Sequence, residues 1–240
     1  AKAGKGRGVG PPQARSFDQV LKKIGASVTV TDEWKKEYRV ESRPDLGGFL
    51  RSQRAEPDLF FLNDGKGHFS RQPVMGPRFT DEHGKPLKED PDYFSLAAKF
   101  YDVNGDGAPD LYVCNDLEDP DLFWLNDGKG NFRLAPQTAH RVTSNTCMSV
   151  DFADVSRNGR VDIFTSDMLA PTLAAQQRQI PTHQPLPKPV GLSPDRPPCM
   201  RNRPHISVGA GKWAQTRDYA GVRATTRAWA AGSRDGDASV

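Results

Sequence analysis

Thirteen residues from Pro57 to Phe69 recur almost unchanged from Pro120 to Phe132, an offset of 63. A chain that repeats a supersecondary unit in this way builds its core by stacking copies of it. The copies differ at two positions, Phe61 against Trp124 and His68 against Asn131. Each reads as strand, Asn-Asp-Gly turn, strand: a β-hairpin whose glycines supply the positive φ that tight turns require. Asp64 and Asp127 are assigned to turn formation.

A second pattern is interleaved with the first. Asp102-Val103-Asn104-Gly105-Asp106-Gly107-Ala108-Pro109-Asp110 places oxygen-bearing side chains at positions 1, 3, 5 and 9, with glycine at position 6. A hard cation such as calcium takes roughly six to eight oxygen ligands at about 2.3–2.6 Å, which alternate side chains of a tightly wound loop can supply. Asp102, Asn104, Asp106 and Asp110 are the candidate ligands, with the Ala108 carbonyl and water completing the set. An EF-hand also begins Asp-x-Asn-x-Asp-Gly, but it ends on a bidentate Glu at position 12 and lies between helices. Position 12 here is Val113, inside the strand-like run Leu111-Tyr112-Val113-Cys114. The alternative is a turn without metal. Three carboxylates within nine residues repel one another unless a counter-ion lies between them, which favours the cation.

The loop recurs 52 residues on, as Asp154-Val155-Ser156-Arg157-Asn158-Gly159-Arg160-Val161-Asp162. Two carboxylates replace three, and Arg157 adds a positive charge, so a weaker site is expected. A third unit is eroded. Ile206 to Trp213 keeps the hairpin's glycine and aromatic spacing, whereas Ala231 to Ser239, where a third loop falls, retains a single carboxylate in register and is expected to hold no metal.

Composition sets the outer limits. With mean hydropathy of −0.67 and 36% apolar residues the chain is polar, and no run approaches the ~18 apolar residues of a membrane span. Residues 90–170 carry 14 acidic and 6 basic side chains, and residues 171–240 carry 4 and 10. The acidic block coincides with the cation loops. The basic tail lacks the clustered charge and interleaved aromatics of a nucleic-acid surface, so no nucleic-acid partner is expected. Cys114, Cys147 and Cys199 show no CxxC and no histidine at ligand spacing, which supports neither zinc nor a disulfide framework. Cys114 reads as a small buried residue.

These loops and hairpins resemble the FG-GAP/VCBS repeats that build the β-propellers of integrin α-chains and of large bacterial surface proteins. The likeness is strong over about 56–170, where Asp110 to Asp116, Leu122 to Gly128 and Met148 to Val155 carry it, and degraded over about 200–240. It implies an all-β partial propeller of about three to four antiparallel blades, stabilised by Ca2+, secreted or at the cell surface. It implies binding or adhesion to a protein or glycan partner. The metal roles map onto Asp102, Asn104, Asp106, the Ala108 carbonyl and Asp110, and in the second loop onto Asp154, Ser156, Asn158, the Arg160 carbonyl and Asp162. Because the family closes rings of about seven blades, within a general range of four to eight, the chain is expected to be a fragment whose remaining blades lie elsewhere.

The expected organisation is a Gly-rich disordered start (1–15), repeat blades (16–170), a helix and Pro-rich linker (171–204), and a truncated further repeat (205–240). Ser16-Phe17-Asp18-Gln19 is a capping-box pattern, and Phe17, Val20, Leu21 and Ile24 share one helical face, which predicts a short N-terminal helix. Residues 181–204 contain eight prolines and read as extended. No nucleophile elbow, HExxH or Ser-Lys signature appears. His68, His83, His140, His183 and His205 are scattered and read as surface or loop residues. No catalytic residue is assigned. The alternative function is a propeller-type hydrolase or polysaccharide lyase using a carboxylate pair that only the fold can bring together.

Overall fold

The computed structural model describes residues 20–24, 27–43, 48–116, 119–175 and 198–216. The Gly-rich start, the capping-box residues, most of the Pro-rich segment and the expected third loop at Ala231–Ser239 lie outside these ranges. The described chain is all-β and divides into two compact units, Ala1–Ala55 and Glu56–Val240.

In the first unit β1 (Leu21–Ile24) and β2 (Ser27–Val30) form one antiparallel pair, and β3 (Tyr38–Arg43) and β4 (Gly48–Gln53) form another. Val20, Val30, Trp34 and Tyr38 make its core, and the Arg51 guanidinium lies 4.9 Å from the centre of the Tyr38 ring. Of the expected N-terminal helix, Ser16 to Gln19 lie outside the described residues and Val20 is helical, whereas Leu21 to Ile24 are strand, so the helix does not run on to Gly25. Pairing with the β-branched run Ser27-Val28-Thr29-Val30 satisfies the same backbone groups. A 3-10 turn follows at Asp32–Trp34.

The second unit opens with the hairpin β5 (Phe60–Asn63) and β6 (Phe69–Gln72), followed by β7 (Gly76–Thr80) and β8 (Pro86–Leu87). The strands β9 (Ser95–Tyr101), β10 (Asp110–Asn115), β11 (Leu122–Asn126) and β12 (Phe132–Leu134) then run as an antiparallel meander. β7 pairs parallel with β12 and extends the sheet to six strands, order β8-β7-β12-β11-β10-β9. β13 (Thr143–Ser144) pairs with β16 (Pro198–Cys199). A second four-stranded meander consists of β14 (Ser149–Ala153), β15 (Asp162–Ser166), β17 (Arg203–Gly209) and β18 (Lys212–Gln215).

Every residue of β10 is buried, which is why its sequence lacks the polar alternation of a half-exposed strand. Leu111 and Val113 face one core with Val74, Phe79, Leu122, Trp124 and Phe132. Tyr112 and Cys114 face the other with Phe123, Cys147, Val150, Phe152, Ile163 and Trp213. β10 is therefore covered on both sides, on one of them by the second meander. Phe60 of the repeated hairpin packs edge-on against Phe79 and Phe132, with centroids 5.3 and 5.5 Å away.

The third hairpin copy is not a separate unit. β17 pairs with β15 through Ile163↔His205 to Thr165↔Arg203, so Ile206 to Trp213 completes the sheet that carries the second cation loop. Residues 173–175, at the head of the expected linker, form a helical turn.

Candidate functional site

Both candidate cation loops occupy the same place in the architecture, joining the first two strands of a four-stranded meander: β9 to β10, and β14 to β15. Their internal hydrogen bonds also correspond. The Asp102 carboxylate accepts from the Asp106 and Gly107 amides at 3.1 and 2.8 Å, and Asp154 accepts from Asn158 and Gly159 at 2.9 and 2.6 Å. At position 5, Asp106 accepts from the Ala108 amide at 2.9 Å and Asn158 from the Arg160 amide at 3.0 Å. The position-6 glycines, Gly107 and Gly159, have φ of 85° and 75°, in the left-handed region where a Cβ is costly. Position 4 separates the loops. Gly105 has φ 77°, and Arg157 adopts φ 55° in its place, which strains the second loop.

The position-9 aspartates do more than point into the loop. Asp110 accepts from the Val103 amide at 3.2 Å and, across the sheet, from the Asn126 amide at the end of β11 at 2.8 Å. Asp162 accepts from Ser156 at 2.8 Å and from Ser207 of β17 at 2.7 Å. In each sheet this side chain ties the loop to the third strand. Both aspartates are buried.

The donor set fits a hard cation. Burial, together with the charges of Asp106 and Asp102, pushes the Asp110 carboxyl up to about 6, against the amide hydrogen bonds that favour its ionised form. Three carboxylates within one nine-residue loop carry a charge of the kind that a divalent ion compensates. In the second loop the Ser156 hydroxyl is buried and makes no hydrogen bond, so position 3 offers a free oxygen. The structure thus brings Asp102, Asn104, Asp106, Ala108 and Asp110 into one loop, and Asp154, Ser156, Asn158, Arg160 and Asp162 into its counterpart.

The hairpin aspartates behave as turn residues. Asp64 accepts from the Lys66 and His68 amides at 2.7 and 3.2 Å, and Asp127 from Lys129 and Asn131 at 2.8 and 3.1 Å.

Three buried polar groups escaped the sequence reading. Asp121 accepts from Asn115 N, Tyr112 Oη and Ser144 N at 2.9, 2.9 and 3.2 Å, and burial raises its carboxyl to about 7. Its repeat counterpart Asp58 accepts from Ser95 Oγ at 2.8 Å. The recurrence of Asp58 and Asp121, which precede their strands and so have no turn to make, was the available signal. Asp167 gathers the loop before β14, accepting from Ser144 Oγ, Thr146 Oγ1, and the Asn145 and Met168 amides. His140 and His205, read as surface or loop residues, are both fully buried, His140 in the loop after β12 and His205 within β17, with Nε2 atoms 3.3 Å apart. His68 and His83 are exposed as expected, and His183 lies outside the described residues.

A cleft of about 300 Å³ lies beside the first meander, lined by Asp58, Phe60, Phe79, Val113 and Trp124. Leu59, Leu96 and Phe100 also line it and are exposed.

Residues 102–165 match the family model of the FG-GAP-like repeat. The match runs from the first cation loop through β15, so it takes in both loops and the hairpin between them. No curated protein matches the chain. An FG-GAP-like repeat suggests a β-propeller-like module.

Proposed function

We propose that this chain is a calcium-binding β-propeller module that acts at or outside the cell surface as a binding, adhesion or scaffold domain, with calcium serving structure rather than catalysis. The observation that carries the proposal is the correspondence of the two nine-residue loops. Each has the same side-chain-to-amide bonds from positions 1 and 5, the same left-handed glycine, and a ninth-position aspartate bonded to the third strand of its sheet. A cation held there braces a sheet corner, and the partner, a protein or glycan, is met elsewhere.

The expected result is that calcium at about 100 times its Kd stabilises the chain by roughly 2.7 kcal/mol per site. For a chain of this size that raises Tm by roughly 5–10 °C, and Asp106→Ala removes most of the gain. Melting that is the same in calcium and in chelator refutes the reading. Calorimetry is expected to resolve a tighter first site and a weaker second one, near the ~0.1–1 mM range of extracellular modules. Two equal tight sites would contradict the assignment of ligand strength.

A second reading, a hydrolase or lyase acting on extracellular glycans, has one observation in its favour. Asp58 lines the cleft, and burial, with the Asp90 charge adding to it, raises its carboxyl above the usual range. Calcium-dependent retention on glycan or protein ligands without turnover supports the binding module. Turnover that Asp58→Asn abolishes, with Tm unchanged, supports the enzyme.

A further inference from the structure

We propose that Cys114 and Cys147 form a disulfide that staples the six-stranded sheet to the four-stranded one. Cys114 lies on β10 of the first sheet, and Cys147 lies two residues before β14 of the second. Both are fully buried in the core the sheets share. The Cys147 amide donates to the Asn115 carbonyl at 3.1 Å, which holds the two backbones side by side. The two cysteines stand as free thiols with Sγ atoms 2.6 Å apart, between the ~2.05 Å of a disulfide bond and the ~3.5–4.0 Å at which unbonded heavy atoms rest against each other.

The same cluster contains a carboxylate, since Asp121 lies within ligand reach of both sulfurs, so a zinc site is the rival. Two thiolates each ~2.3 Å from a tetrahedral zinc stand about 3.8 Å apart, farther than these sulfurs are. Asp121 is also committed, accepting from Asn115 N, Tyr112 Oη and Ser144 N. The geometry selects the covalent bond. The inference does not depend on the calcium reading.

The oxidation balances with a small-molecule disulfide as oxidant. One cysteine thiolate attacks the external S–S bond and expels a thiolate. The second cysteine thiolate then attacks the mixed disulfide and expels the other. The two protons lost by the protein end on the expelled thiolates, giving one protein disulfide and two small thiols. Because both sulfurs are enclosed and burial holds both thiols well protonated, the exchange belongs to folding, before the sheets close.

The test is to refold the 240-residue chain in oxidised and reduced glutathione, alkylate in denaturant without reduction, and digest with trypsin. The expected product joins peptide 100–129 to peptide 142–157, with Cys199 alkylated. Reductant is expected to lower Tm by about 10 °C and to have no such effect on Cys147→Ala or Cys114→Ala. Recovery of Cys114 and Cys147 both alkylated overturns the proposal. So does a link through Cys199, or protection of the pair that appears only with added zinc and vanishes with chelator.

Discussion

Asp167→Ala is expected to cost about 3–5 kcal/mol or to prevent stable folding, because it strands a set of buried donors all at once. The side chain is fully enclosed. It is the acceptor for the Ser144 and Thr146 hydroxyls and for the amides of Asn145, Thr146 and Met168. Its own amide donates to Asn202 at 2.7 Å, fixing the approach to β17. Deleting the carboxylate leaves these groups in an interior with no water to take its place, and each unsatisfied donor costs about 1–3 kcal/mol. Against a total stability of about 5–15 kcal/mol that is a large fraction. Asp167→Asn keeps one acceptor oxygen and is expected to fall between. Urea midpoints for the two variants check the order, and an alanine variant as stable as the parent contradicts it.

The second large effect is an acid sensitivity specific to His205. Burial, and secondarily the charge of Arg203, lowers its imidazole from 6.5 to about 3. Between those values the unfolded chain binds a proton that the folded chain refuses, so stability rises with pH through this window and is lost as pH falls. At pH 4 the loss is roughly 3 kcal/mol. The groups around the ring are His140, whose Nε2 is 3.3 Å away, and Arg203 on the same strand.

Asp121 works in the opposite sense. Its folded value is raised to about 7 from 3.8, so the folded chain holds the extra proton and gains stability as pH falls from 7 towards 3.8. The two slopes oppose each other, and the parent's own pH profile conceals both. The diagnostic is differential: parent against His205→Gln, which retains a polar partner for His140 without titrating. The parent's stability relative to this variant is expected to shrink by about 3 kcal/mol between pH 7 and pH 4. A difference that is equal at both pH values rejects the assignment.

How far these features were legible in the chain differs from residue to residue. The two nine-residue loops were open to reading because their polar side chains lie close together in the chain, and the glycine at position 6 announces the backbone turn. The repeated hairpins were open for the same reason, since Asn, Asp and Gly act on amides two to four residues away. The N-terminal segment was legible in part: Val20 is helical as expected, but the apolar spacing that continues through Leu21 and Ile24 suits a helical face and a strand edge alike. Partner strand Ser27–Val30 decided it.

His205 offered no local signal. Its burial comes from pairing with Ile163 and Gln215 on two other strands. Cys114 and Cys147 were likewise silent, 33 residues apart with no motif spacing between them.

The sequence by itself determined the all-β class, the two nine-residue Asp/Asn/Gly loops, and the turn residues of each hairpin. Each of these depends on groups within a few bonds of one another along the chain. Only the tertiary structure decided that the third hairpin completes the second sheet, that Asp110 and Asp162 reach across to a third strand, and that Asp121, Asp167, the histidine pair and the two cysteines meet inside. Many of those contacts join residues far apart in the chain, from 16 positions for Asp110 and Asn126 to 65 for the histidine pair. They arise because burying both faces of the first meander forces sheets together, and no local spacing records which side chains then meet.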